Sequence, residues 1–149
     1  MGLVRRHTHT ARINDLNIDV YRLHTLTEHH PTETVALAEF DDEMDRPCWS
    51  KRPGHDDHQE NKVSPRFVVD ILTTHGPHEA ARRYPELRHH FDQIRTADTS
   101  YPIHVYRDHV VDGMHRLAQL HLGDRLGLLT DPTVVIKRLS AIPHEAIIK

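Results

Sequence analysis

The chain has 149 residues, enough to bury one core and short for two. Apolar residues make up 37% and charged residues 28%, which predicts a modest core joined by long polar connections. A formal net charge of −3 excludes a general field for nucleic acid or an anionic membrane, so any anion binding has to be local.

Residues 1–12 are polar, with Arg5, Arg6, His7 and His9, and read as a tail. Leu16, Val20, Leu23 and Leu26 then recur at helical spacing, which predicts a helix over 15–29 ended by Pro31. Residues 1–30 are therefore expected to form a tail and helical extension in front of a single domain over 31–149. Val35, Leu37 and Phe40 predict a short strand, and the run Asp41-Asp42-Glu43-Met44-Asp45 with Pro47 predicts a turn after it. The polar stretch 50–63, with Pro53-Gly54, predicts a mobile loop.

Ser64-Pro65 is a helix-start signal, with Phe67, Val68, Ile71 and Leu72 as the expected buried stripe and Gly76-Pro77 as the stop. Further helical stretches are expected over 77–83 and 85–96, the latter facing the core with Leu87, Phe91 and Ile94. Residues 101–106 alternate as a strand, Arg107-Asp108-His109 predicts a hairpin turn, and Val110-Val111 starts the returning strand. That strand runs into Asp112-Gly113, where a helix carrying Leu117, Ala118 and Leu120 begins, with Gly123 as its expected cap. A last buried strand is expected over 133–136 and an edge segment over 142–148.

The junction at Gly113 carries the chemistry. A glycine there lets backbone approach a ligand closely, the N–H groups of the first helical turn point outward, and the helix dipole favours an anion. His115 and Arg116 add side-chain donors, Arg116 with a planar fork suited to phosphate oxygens.

The strings Tyr101-Pro102-Ile103-His104-Val105 and Val110-Val111-Asp112-Gly113-Met114-His115-Arg116-Leu117-Ala118, with Gly123-Asp124, resemble the ParB/sulfiredoxin superfamily. More narrowly, they are similar to its ParB-like proteins of unassigned role that carry a D-G-M-H-R box. The resemblance covers about residues 86–140 and, more loosely, Val35 to Trp49. It implies a single α+β domain, a small mixed sheet with flanking helices, whose box, here Asp112, Gly113, Met114, His115 and Arg116, binds nucleotide phosphates of ATP, ADP or CTP.

Met114 stands where sulfiredoxins carry their reactive cysteine, and a thioether cannot supply a thiolate, so sulfiredoxin chemistry is not expected. Partition clamps of the superfamily follow the box with a DNA-reading helix-turn-helix, whereas about thirty residues follow Arg116 here. The free-serine kinases of the superfamily are closer in the box and in having an acidic residue after the first core strand. The resemblance therefore implies a phosphotransferase or nucleotide hydrolase acting on a small molecule. In it, Glu43, Asp42 or Asp45 serves with His115 in catalysis, and Glu43 and Asp45 hold Mg2+. The alternative is a non-catalytic, nucleotide- or DNA-associated accessory protein.

His55-Asp56-Asp57-His58, His7-x-His9, His29-His30 and His89-His90 have metal-ligand residue types, but among sixteen histidines adventitious surface binding is the expected outcome. Arg82-Arg83 with Arg88 is interleaved with Glu79, Glu86 and Asp92 and reads as a solvated face. Trp49, the single tryptophan, is expected to plug the core, with stacking on a base at a pocket edge as the other reading. Cys48 is the single cysteine and reads as a small buried hydrophobe, so neither a disulfide nor a multi-cysteine zinc site can form within the chain. With no apolar leader in the first nineteen residues and no long apolar run, a cytoplasmic protein without membrane contact is expected.

Overall fold

The computed structural model describes residues 10–13, 16–51 and 62–148, and its class is α+β. In chain order the first half holds β1 (Thr10–Ile13), β2 (Leu16–Asp19), α1 (Val20–Leu26), β3 (Glu33–Ala36), α2 (Asp41–Met44), β4 (Trp49–Ser50) and β5 (Lys62–Val63). The second half holds α3 (Pro65–Arg83), α4 (Arg88–Thr96), β6 (Ile103–Tyr106), β7 (His109–Asp112), α5 (Met114–Arg125), β8 (Thr133–Leu139) and β9 (Ile147–Ile148).

The central sheet has the order β3-β8-β6-β7, with β8 antiparallel to β3 and parallel to β6, and it is therefore mixed. Alternation along these strands sends side chains to two separate cores. Ile103, Val105, Val110, Val134 and Ile136 pack with residues of α3, α4 and α5, among them Val68, Phe91 and Leu117. Val111 and Leu139 join Ile18, Leu23 and Ala146 in a smaller cluster. A fully buried Leu or Ile contributes about 1.5–3 kcal/mol, so the first cluster carries most of the stability.

The N-terminal region departs from the helix expected over 15–29. Leu16 to Asp19 is a strand pairing with β1 and β9, and α1 starts only at Val20. Asp19 sets that start, because its side chain accepts a hydrogen bond from the Arg22 N–H at 3.1 Å. Leu16-Asn17-Ile18 also fits a period of two, and burying Ile18 against β9 decides in favour of the strand. β1 and β2 thus form a second sheet, of order β1-β2-β9, and Ile18 joins the smaller core cluster.

Other expectations shift by less. Residues 37–40, expected to continue a strand, form a 3-10 turn that buries Leu37 and Phe40. Ser64 caps α3 by accepting from the Phe67 N–H, and Gly76 at φ 77° breaks the helix before Pro77. Phe67 is 45% exposed, so the buried stripe runs through Val68, Val69, Ile71 and Leu72 instead. Gly123 lies inside α5. The cap is Gly127 at φ 72°, with Leu128 N–H donating to the Gly123 carbonyl and Gly127 N–H to that of Asp124. The loop expected at 50–63 lies largely outside the described residues. No helix among the described residues is long and apolar enough to cross a membrane.

Candidate functional site

The hairpin of β6 and β7 turns through Arg107 and Asp108, both at positive φ, in the twist that suits a two-residue connection. One residue is extra on the β7 side: Val105 faces Val110, yet His104 faces Asp112. This bulge at Val111 re-aims the end of the strand. It places Asp112 directly across from His104, so that both side chains share the face covered by α1.

Gly113 follows at φ 113°, a conformation that an L side chain rarely adopts. A Cβ on it would lie 2.9 Å from Ile103 Cγ1 and 3.0 Å from an Arg116 guanidinium nitrogen, so sterics and backbone both require glycine. No side chain caps α5, whereas Asp19 and Ser64 cap α1 and α3. The first helical bond is Leu117 N–H to the Gly113 carbonyl, so the helix dipole begins at this glycine. Arg116 is mostly buried and donates to Asp112 at 2.7 Å. The same Asp112 oxygen lies 2.7 Å from His24 Nε2. His24 stacks on His104 at 4.6 Å. His104 bonds to Thr27 at 3.0 Å, and its pKa is lowered to about 4 by burial, with the neighbouring His24 adding to the shift.

His115 lies on another side of the helix start. It stacks on Trp49 at 4.4 Å, and His90 stacks on the same indole at 4.7 Å. The two imidazoles are bonded at 3.0 Å between His90 Nδ1 and His115 Nε2, so they lie edge to edge. His90 Nε2 donates to the Ser50 carbonyl at 2.6 Å, which makes Nδ1 the acceptor and puts the shared proton on His115 Nε2. Burial pushes the His90 pKa down to about 4, which keeps that ring neutral. Trp49 is buried as expected, and it also supports the box histidine.

Family models, curated proteins and solved structures all fail to match this chain.

The acidic turn forms α2, and its carboxylates face other partners. Glu43 is buried, takes two bonds from Arg46 at 3.0 and 3.1 Å, accepts from the Val110 N–H at 2.6 Å, and lies 3.2 Å from His109 Nδ1. It braces the edge of the hairpin. Asp45 is exposed and paired with Arg66 at 2.6 Å, and Asp42 is exposed. Met114 packs against the larger core.

His7, His9 and the His55 to His58 run lie outside the described residues, and His29 and His30 are exposed. Arg82 and Arg83 both pair with Glu79 on an exposed face, as expected. Cys48 packs on the larger core, and burial raises its pKa to about 11. His24 and Thr27, at the end of α1, and His104 in β6 carry no local signal in the sequence that marks them as a site.

Proposed function

We propose that this chain is a ParB/sulfiredoxin-like protein that seats the phosphates of a nucleotide, ATP, ADP or CTP, on the start of α5. The observation that carries this reading is the helix start at Gly113, which no side chain caps, beside the Arg116 guanidinium. A phosphate there gains the helix dipole and the guanidinium fork, with Arg116 exchanging part of its bond to Asp112 for the ligand. The edge of His115 is aimed by Trp49 and His90 and supplies a further contact.

On this reading the chain transfers or hydrolyses a phosphoryl group on a small molecule, with Mg2+ accompanying the nucleotide. Among the box residues, Asp112 and His115 are the groups able to exchange a proton beside the phosphates. One observation favours the non-catalytic alternative, a nucleotide-dependent accessory protein: Glu43 is saturated by Arg46, His109 and Val110 and is not poised as a base.

The test is a titration with ATP, ADP and CTP, read by Trp49 emission because His115 stacks on it. Arg116→Ala should weaken binding about 10- to 100-fold, the loss of charge-assisted bonds worth about 1.5–3 kcal/mol. No binding by the wild-type chain, or equal affinity in the variant, overturns the reading. Release of phosphate or nucleoside diphosphate separates the enzyme from the accessory protein.

A further inference from the structure

We infer that His24, His104 and Asp112 form a binding site for a divalent first-row transition metal ion of the zinc class. One donor atom from each residue lies within 4.8 Å of the other two. The bulge at Val111 sets His104 opposite Asp112, and α1 lowers His24 onto the pair.

The decisive feature is the unused nitrogen of His104. Thr27 Oγ1 gives its own proton to the Leu23 carbonyl at 2.8 Å, so at 3.0 Å it can only accept, and His104 Nε2 is the donor. Nδ1 of His104 is thereby left as a bare lone pair. The residue is 3% exposed, and this nitrogen has no hydrogen-bond partner among the described residues. Buried polar atoms without a partner are rare, and a lone pair on a neutral imidazole beside a carboxylate and a second imidazole suits a metal ion.

The surroundings fit the same purpose. A ligating histidine is commonly oriented through its other nitrogen, which is the role Thr27 plays for His104. Thr27 is held in turn, its carbonyl accepting from Lys137 Nζ at 2.9 Å. Asp112 is oriented by Arg116. His24 is 39% exposed, which leaves an entry path and room for a water or ligand on the ion. Donors around a tetrahedral ion stand about 3.4 Å apart and each imidazole binds in its own plane, so binding requires the His24 ring to withdraw from Asp112 and turn out of its stack on His104. On metal binding the Nε2 lone pair of His24 goes to the ion and the ring proton is carried on Nδ1, the other tautomer of the neutral imidazole. Two imidazole nitrogens with one carboxylate select zinc-like ions over Mg2+ or Ca2+, which prefer all-oxygen sites.

This site goes beyond the phosphate reading, and its test uses no nucleotide, so the two can fail separately. Metal-stripped protein is titrated with zinc chloride by calorimetry in the presence of a competing chelator, and with cobalt(II) followed by visible absorption. Expected are one tight equivalent of zinc and the intense bands of a four- or five-coordinate cobalt ion. His24→Ala and Asp112→Asn should each weaken the tight equivalent by about 100-fold or more and remove the cobalt bands. His24 is half-exposed, so its replacement remains informative if His104→Ala does not fold. Zinc uptake unchanged in both variants, or only weak uptake of several equivalents, is adventitious binding by surface histidines and overturns the site.

Discussion

Asp112 and Arg116 are joined at 2.7 Å across Gly113, and the guanidinium occupies the space that a side chain on Gly113 would need. The glycine therefore serves two ends, a positive φ at the start of α5 and a close approach by the arginine.

Gly113→Ala tests that double requirement. Positive φ strains alanine, and its Cβ would lie 2.9 Å from Ile103 and 3.0 Å from Arg116, so a loss of about 1–3 kcal/mol is expected in urea unfolding. Gly127, at φ 72° with nothing within 4 Å of its ideal Cβ, is the comparison. Gly127→Ala carries the backbone strain alone and should cost about 1 kcal/mol. Equal losses at both positions would show that the contact with Arg116 is unimportant.

Glu43→Gln separates a brace from a base. The amide keeps the shape but removes the charge facing Arg46 and weakens the acceptor for the Val110 N–H. A stability loss of about 1–3 kcal/mol is expected, with nucleotide affinity little changed. A large fall in turnover at unchanged stability would return Glu43 to a catalytic role.

Acid should destabilise the protein through His90 and His104. Both have folded pKa values lowered to about 4 by burial, against about 6.5 in an unfolded chain. Between these values the unfolded chain binds more protons than the folded one, so stability falls as pH drops from about 6.5 to 4 and levels off below. Denaturant midpoints measured across this range should show the fall. His90→Gln should reduce its slope, since one of the two protons no longer binds.

Cys48 should be a slow thiol. With its pKa raised to about 11, little thiolate is present at pH 8, and the side chain packs on the core. Alkylation by iodoacetamide should be slow in the folded protein and rapid in denaturant. Comparable rates in both states would contradict that packing.

Those parts whose signals act within a few residues are legible in the residue order alone. Ser64-Pro65 starts α3 through a side-chain cap, Gly76 breaks it through its φ, and alternation over 101–106 with Val110-Val111 after a turn draws the hairpin that ends at Gly113, His109 joining the returning strand rather than the turn. The N-terminal strand depends on long-range pairing, because Leu16 to Leu26 satisfies both periods and only contact with β9 chooses between them. Only the tertiary structure could bring His24 to Asp112, 88 residues apart, and His90 to Ser50, 40 apart, since lone histidines carry no local periodicity. The extra residue in β7 was equally hidden: a bulge depends on the register of the paired strands, and that register sets which face Asp112 takes.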